Sequence, residues 1–329
     1  MKDDVLRLLS ESQGYVSGAE MSRKLGVTRA AIWKAIEALR QEGYAIESGT
    51  NRGYRLAEIT TNLSRREILR HLEGCAWGEA VQVCEEVDST SNQAKLQAAA
   101  GAPEGTVIIA DTQTGGRGRL GRSFSSPKGM GMYLSAVLRP KAEPAQLLHL
   151  TCAVAVAVCN AVEKTVGARP GIKWTNDPVL GNRKLCGILT ELALEAEINE
   201  VQYAVVGIGI NCQQKQEDFD ESIRDVACSL AMATGKPVDR NLLTANCIRE
   251  LEKLSRDYLT AKEAYMAQYR KDCVTVGKQV QVIRGETIRR GKALSVDDDG
   301  GLLVAFEDGQ TETVNAGEVS VRGMYGYAE

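Results

Sequence analysis

The period of the apolar positions changes twice along this chain of 329 residues, and each change marks a new segment. In the first segment Val5, Leu8 and Leu9 make one apolar stripe. A second short helix is expected from Gly18 to Leu25, closed by a tight turn at Gly26-Val27. Thr28 is placed to cap a third helix, in which Ile32, Ile36 and Leu39 recur at i, i+4 and i+7, and Gly43 ends it. Tyr44–Glu47 and Gly53–Leu56 then read as two short strands around the polar turn Ser48–Arg52. Helix, helix, tight turn, helix and two-stranded wing make a winged helix-turn-helix, predicted over residues 1–60. Its third helix would enter the major groove of DNA, with Thr28, Arg29, Trp33 and Lys34 facing the duplex and Arg52 reaching it from the wing. The plainer alternative is a helical interaction module whose charges form a solvated face.

From Thr61 to Arg66 the chain is polar, as a linker would be. Beyond it, apolar runs alternate with turns. Strands are expected at Val81–Val87, Thr106–Thr112, Met132–Arg139, Gly171–Trp174, Leu185–Leu194 and Gln202–Cys212, and helices at Ser91–Ala100, Pro144–Val166 and Asn241–Tyr269. Connections such as Glu197–Glu200 are too short for a helical crossover. That predicts an antiparallel or mixed sheet with helices on one side, an α+β domain over residues 61–271 rather than a doubly wound one. From Asp272 the runs shorten. Val280–Ile283, Arg289–Val296, Leu302–Phe306 and Thr311–Val314 read as strands, with Asp298-Asp299-Gly300-Gly301 and Glu307-Asp308-Gly309 as turns. A small β-barrel over residues 272–329 is the expected third domain.

Composition narrows the class. Hydrophobic residues at 43% and charged residues at 25% suit a soluble globular protein. The most apolar stretch, Leu147–Val162, is interrupted by His149, Thr151 and Asn160 and reads as a buried helix, not a membrane span. The acidic start Met1-Lys2-Asp3-Asp4 argues against a signal peptide. Nine cysteines without a C-x-x-C pair and only two histidines, His71 and His149, argue against a structural zinc site and for reduced thiols in the cytoplasm. A Ser-His-Asp or Cys-His hydrolase would have to use one of those histidines, and neither sits in a supporting motif. The expected chemistry is therefore electrostatic. At a net charge of −3, any nucleic-acid binding must come from a local basic face.

Three motifs carry candidate chemistry. Gly115-Gly116-Arg117-Gly118-Arg119-Leu120-Gly121-Arg122 combines glycines that let backbone amides approach a ligand with arginines of fixed charge. Gly116–Gly121 matches G-x-G-x-x-G, but a dinucleotide site needs a helix directly after it, and Ser125-Ser126-Pro127 and then a strand follow instead. Crowded arginines repel one another unless an anion gathers them, so an anionic ligand that orders the loop is expected over a bare surface loop. Lys173-Trp174-Thr175-Asn176-Asp177 and Arg183–Glu191 read as strand, polar turn, strand, with a lysine near each end. Two lysines and an Asn-Asp turn suit a phosphate or carboxylate, whereas a lysine buried against Glu191 would be structural. Gly207-Ile208-Gly209-Ile210-Asn211 ends an apolar strand where a flat ring could lie on the backbone and Asn211 could bond it.

Together, Asp88-Ser89-Thr90, the Gly116–Arg122 loop, Lys173–Asp177, Arg183–Glu191 and Gly207–Asn211 resemble, in order, the motifs of bacterial biotin protein ligases. The winged helix and C-terminal barrel resemble the bifunctional form that also represses the biotin operon, so the resemblance covers essentially the whole chain. It implies a class II synthetase-like catalytic domain and an SH3-like barrel. It also implies an enzyme that uses ATP and Mg2+ to turn biotin into biotinyl-5′-AMP and transfers the biotin to a lysine of a biotin carboxyl carrier protein. Adenylate-linked homodimerisation and repression at operator DNA are implied too. By position the resemblance assigns Ser89, Thr90, Ser91, Gln113, Gly116, Gly118 and Gly187 to biotin, and Arg117, Arg119 and Lys184 to its activated carboxyl. Arg119, Arg122, Phe124, Asn176, Lys184, Asn211 and Arg322 fall to the nucleotide, and Asp177 becomes the candidate for orienting or deprotonating the acceptor lysine. No side-chain metal cluster is implied; Mg2+ would arrive with ATP.

Three positions depart from the family pattern. Phe124 stands where tryptophan is usual, Thr175 where proline is usual with Pro178 after the aspartate, and Ser91 where asparagine is frequent. A lipoate or octanoate ligase would share the fold and the adenylate logic, with a pocket for a flexible chain. A biotin-sensing repressor without catalysis would not need Lys184 and all three loop arginines, and an interaction scaffold would leave that loop unexplained.

Overall fold

Ser17 starts a helix because its hydroxyl accepts the Glu20 amide at 3.1 Å, and Gly26, at φ +66°, ends it in the left-handed conformation that glycine adopts without strain. The computed structural model describes residues 1–329 except 11, 13, 42, 43, 45, 51, 57–62, 196–199, 316–319 and 324–329; at 3, 10, 41 and 320–323 only the backbone is described. The chain divides into two units, Met1–Asn62 and Leu63–Glu329.

The first unit contains α1 (Lys2–Ser10), α2 (Gly18–Leu25), α3 (Arg29–Gln41), β1 (Ile46–Gly49) and β2 (Gly53–Leu56). Thr28 caps α3 by accepting the Ala31 amide at 3.2 Å. Val5, Leu9, Met21, Ile32, Ile36 and Leu39 form the core, with Leu8 half-buried at its edge. The strands pair antiparallel, and the first begins at Ile46, two residues later than expected. Ala45 and the helix-ending Gly43 lie outside the described residues. Val16 and Tyr54 exchange both backbone hydrogen bonds, at 2.7 and 2.9 Å, so a Cβ on Gly53 would stand 2.2 Å from the Val16 carbonyl.

The second unit opens with α4 (Arg65–His71), in a stretch whose polarity suggested a linker. Thr61 and Asn62 lie outside the described residues, but Arg65 and Arg66 are helical and Ile68 is fully buried. There follow β3 (Val81–Val87), α5 (Thr90–Ala99), β4 (Val107–Gln113), β5 (Gly131–Leu138), α6 (Leu150–Val166), β6 (Gly171–Lys173), β7 (Asp177–Leu180), β8 (Arg183–Lys184), β9 (Cys186–Glu195) and β10 (Glu200–Asn211). Helices α7 (Leu230–Thr234), α8 (Arg240–Asp257) and α9 (Lys262–Asp272) complete this part. Five strands form a mixed sheet in the order β3-β4-β5-β10-β9, parallel between β3 and β4 and antiparallel elsewhere. The turn expected at Glu197–Glu200 lies, up to residue 199, outside the described residues.

Helices cover both faces of this sheet, not one. Val107, Ile109, Leu134, Ala136 and Val206 join the core of α6 and α8, while Ile108, Val137 and Val205 pack on Ala94 and Ala98 of α5. Strands apolar on both sides signal this burial, which an expectation of one covered face overlooks. Pro144–Val166 opens as a 3₁₀ turn at Pro144–Leu147 before α6 begins. By length and composition this stretch could cross a membrane, yet 72% of its apolar window is buried inside the unit. The expected helix Asn241–Tyr269 breaks into α8 and α9, where the Tyr258 carbonyl accepts from His149 Nε2 at 2.8 Å. The expected hairpin after Gly171 gains a strand: β6, β7 and β8 form a small sheet in which Asp177 lies opposite Lys173.

The last elements, β11 (Gln279–Arg284), β12 (Thr287–Val296), β13 (Leu302–Phe306), β14 (Thr311–Val314) and β15 (Ser320–Gly323), form an antiparallel sheet in the order β14-β13-β12-β11-β15. Four match the expected strands and β15 is additional. The end of β12 and the turn after it dock on Trp174, which follows β6, and on α9: the Gly300 carbonyl accepts from Trp174 Nε1 at 2.8 Å, and Arg270 Nε donates to the Val296 carbonyl at 2.7 Å.

Candidate active site and nucleic-acid interface

At the N-terminus of α5, beneath the arginine loop, lies a cavity of about 490 Å³, a volume that suits a small-molecule ligand. Its lining includes Ser89, Thr90, Ser91, Gln113, Arg117, Gly118, Arg119, Arg122, Phe124, Asn176, Asp177, Lys184 and Gly187, residues the sequence spreads over almost a hundred positions. Gly116 and Asn211 are not on the lining, and the Arg322 side chain lies outside the described residues.

One group of residues is uncharged. Ser89 caps α5; the Thr90 amide and hydroxyl both donate to Gln113 Oε1, at 2.8 and 3.1 Å, and Gln113 Nε2 donates to Ser126 Oγ at 2.8 Å. The buried Ser135 hydroxyl lies 2.8 Å from Thr90 Oγ1 and 3.0 Å from Ser91 Oγ. Gly207 makes room for this cluster, since a Cβ there would stand 2.5 Å from Ser91 Oγ. Such an array, at the positive end of a helix, suits a neutral ligand carrying both a carbonyl and N–H groups. Ser135 escaped the sequence reading; a lone serine in an otherwise apolar strand was its only signal.

Over the glycine-rich strand, where a ligand ring was expected, lies the ring of Phe124. A Cβ on Gly209 would stand 2.6 Å from that ring, and one on Gly187 3.3 Å. Tyr133 meets the same ring edge-on, with centroids 6.4 Å apart.

The charged group begins with the arginine loop, whose backbone closes as a hairpin. Gly118 N donates to the Arg122 carbonyl at 2.7 Å, and Phe124 N to the Gly116 carbonyl at 2.9 Å. Gly116 serves this closure: a Cβ there would lie 2.3 Å from the Phe124 carbonyl. Arg119 Nη1 donates to Asn176 Oδ1 at 2.8 Å, and Asn176 Nδ2 to the Ile188 carbonyl at 2.6 Å. Lys184 Nζ lies 2.8 Å from Asp177 Oδ1, so the lysine's carboxylate partner is Asp177; Glu191 pairs with Lys95 instead, at 2.9 Å. The Lys184 backbone is pinned by its amide to Val226 O, at 2.7 Å, and by Cys228 N to its carbonyl, at 2.9 Å. Through that pairing Ser222 and Val226 join the lining from a segment without periodicity, which gave no signal in the sequence. Asn211 turns away from the cavity and steadies the same segment: Nδ2 donates to the Cys228 carbonyl at 3.0 Å, and Oδ1 accepts from Gln214 at 3.3 Å.

Neither histidine lines the cavity. Burial holds the His149 imidazole below its ordinary value and pushes the Cys186 thiol well up, so neither supplies a cation or a thiolate nearby. Among the described residues no group of three His, Cys, Asp or Glu side chains forms a metal site. What remains is a cluster of guanidinium and ammonium groups beside one carboxylate, an arrangement fitted to neutralising and aligning anions.

In the first unit, α3 turns Thr28, Arg29, Trp33 and Lys34 outward, and Trp33 stays 54% exposed although it is large and apolar. Arg52, on the wing, is exposed too, its guanidinium 5.8 Å from the Tyr15 ring.

Three family models match the chain: "Biotin/lipoate A/B protein ligase family" over residues 83–211, "HTH domain" over 2–55 and "Biotin protein ligase C terminal domain" over 275–322. The chain is 35% identical to the bifunctional ligase/repressor BirA of Bacillus subtilis (strain 168) over 311 residues, 94% of this chain and 95% of that protein. It is 32% identical to the BirA of Escherichia coli (strain K12) over 330 residues, 98% of this chain and 99% of the relative. Among solved structures, the biotin protein ligase from Aquifex aeolicus in complex with biotin and ATP superposes with a TM-score of 0.63 at 29% identity, covering 74% of this chain and 98% of that one.

Proposed function

The chain belongs to the biotin protein ligases, in the form that carries an N-terminal helix-turn-helix domain, and from that premise we propose how its residues activate biotin, transfer it and read DNA. It is a biotin–[acetyl-CoA-carboxylase] ligase, and one observation carries the residue assignments. A single cavity joins the uncharged cluster of Thr90, Ser91 and Gln113 to Arg117, Arg119, Arg122 and Lys184.

The ureido ring of biotin binds at the α5 end, where hydroxyl and amide groups meet its carbonyl and N–H groups, and Phe124 offers its ring to the adenine of ATP. Its carboxylate is drawn to Lys184 and attacks the α-phosphorus of ATP; an O–P bond forms and the α–β phosphoanhydride breaks, releasing pyrophosphate. Two anions must meet, so alignment and charge neutralisation set the rate rather than an acid or base. Lys184 and the loop arginines supply both. Mg2+ would be held chiefly by the phosphates of ATP, where it offsets their charge. The arginine hairpin then shields the mixed anhydride from water. In the second step a neutral lysine of the carrier protein attacks the biotinyl carbonyl and AMP leaves. Asp177, 2.8 Å from Lys184, orients that lysine or takes its proton.

The N-terminal domain, residues 1–60, binds operator DNA through Thr28, Arg29, Trp33 and Lys34 on α3 and Arg52 on the wing. A homodimer of adenylate-bound chains presents two such helices to two half-sites. Residues 61–271 form the catalytic domain and 272–329 the C-terminal one.

ATP–pyrophosphate exchange with biotin, lipoate or octanoate as the acid tests the active site. Exchange with biotin alone is expected. Exchange with lipoate or octanoate in its place would keep the fold and replace the substrate; biotin binding without exchange would leave a sensor.

A further inference from the structure

The chemistry above uses the lysine of the Arg183–Glu191 motif and leaves its acid unexplained. Glu191 is half-buried in the middle of β9 and meets two cations at one oxygen. Lys95 Nζ of α5 lies 2.9 Å from Oε1, and Arg117 Nη2 of the arginine hairpin lies 3.9 Å from the same atom. The other oxygen, Oε2, is buried and accepts no hydrogen bond. Arg117 is also held from α5, since its Nη1 donates to Asn92 Oδ1 at 2.9 Å. Asn92 Nδ2 in turn donates to Asp88 at 2.7 Å, and the Asp88 carbonyl accepts the Gly115 amide at 2.7 Å, which ties the root of the loop to the same helix.

A carboxylate with one bare, buried oxygen beside a guanidinium is an incomplete fork, and a small rotation of Arg117 would complete it with two parallel N–H bonds. Lys95 opposes that rotation because it occupies the oxygen both cations approach. We propose that Glu191 is a positioning residue that sets the orientation of Arg117 over the cavity, with Lys95 as its competitor. The proposal rests on the reading of Arg117 as a contact of the activated carboxyl. An arginine already oriented binds the adenylate without first losing its own freedom, so the effect appears in how long the adenylate stays. A carboxylate that merely tied α5 to β9 would act otherwise: removing either Glu191 or Lys95 would loosen the same contact.

The experiment follows the half-life of biotinyl adenylate preformed on the full chain from biotin and ATP. Wild type, Glu191→Gln, Lys95→Met and the double variant are compared, with thermal melts alongside. Glu191→Gln keeps the shape and removes the charge, and the half-life shortens about three- to fivefold, the scale of a partly exposed charge pair. Lys95→Met releases Glu191 to Arg117 and lengthens the half-life. The double variant matches Glu191→Gln, because Lys95 acts only through Glu191. Shortening in both single variants with a lower melting temperature reduces Glu191 to a tie between α5 and β9 and overturns the proposal, as do equal half-lives in all four proteins. A wild-type chain that forms no adenylate from biotin removes the active-site reading itself, an outcome distinct from the others.

Discussion

The third helix and the ligase cavity both present arginine and lysine, yet they hold those cations in opposite ways. On α3 the residues proposed to meet DNA are exposed while Ile32, Ile36 and Leu39 on the other side are buried, so the proposed contacts and the core occupy separate faces. In the cavity the cations are tied to the walls: Arg119 through Asn176 to β9, Lys184 to Asp177, and Arg117 to Asn92. The difference follows from the ligand. A duplex is a long, repeating polyanion that a plain exposed face can meet at many points. A carboxylate and a single phosphate offer few atoms, and they must be met by groups already in place. Function should therefore separate from fold in the first unit and not in the second.

Removing residues 1–62 is the bluntest test and carries the largest effect. Operator binding in a gel shift should vanish while carrier biotinylation stays within about twofold, as expected for domains with separate cores. Operator binding by the shortened chain would end the assignment of α3. Next comes Lys184→Ala, expected to lower pyrophosphate exchange by on the order of 10²–10³ with the fold intact; near-wild-type turnover would remove Lys184 from the chemistry. Arg119→Ala should speed adenylate loss about tenfold, the weight of one charge-assisted contact. Because Arg119 also holds Asn176, that restraint goes with it, and a half-life equal to wild type would show that the hairpin is no clamp. Lys34→Ala should weaken DNA binding about fivefold on every sequence and lower the salt slope by about one, leaving ligation unchanged. A selective loss on the operator alone would instead make Lys34 a reader of bases.

The smallest effect distinguishes the units by pH. Both histidines lie in the second unit, and burial keeps His149 below its ordinary value of 6.5. The neutral imidazole favours the fold, so this contribution is complete above that value and is lost as pH falls from it toward the folded value, where the unfolded chain takes the proton first. Melts recorded between about pH 7 and about pH 5.5 should show a lower transition of the ligase unit at the acid end. An unchanged ligase transition would contradict this.

The same contrast explains what could be read in advance. The winged helix was legible because its signals are local: Thr28 caps α3, Gly26 closes α2, and the apolar stripe repeats within a few turns. The cavity's motifs were legible as glycines and cations, and the structure brings most of them together. Their pairing was not. Glu191 alone stood out as an acid for a buried lysine, yet β7, a strand too short to show a period, sets Asp177 beside Lys184. Asn211 pointed to the ligand by motif, but its amide is consumed by Cys228 and Gln214, partners supplied by a loop no pattern marks. Ser135 needed the register of β5 against β10, where it faces Gly207, to become visible.

One contact also sets an order in time. Trp174 lines the cavity, and its indole is held by the carbonyl of Gly300, made 126 residues later. A chain leaving the ribosome therefore completes its helix-turn-helix domain first, with every core residue of that domain already synthesised, while the wall of the cavity waits for the final sheet. During synthesis the N-terminal unit can close its core before the cavity of the second unit has its last wall.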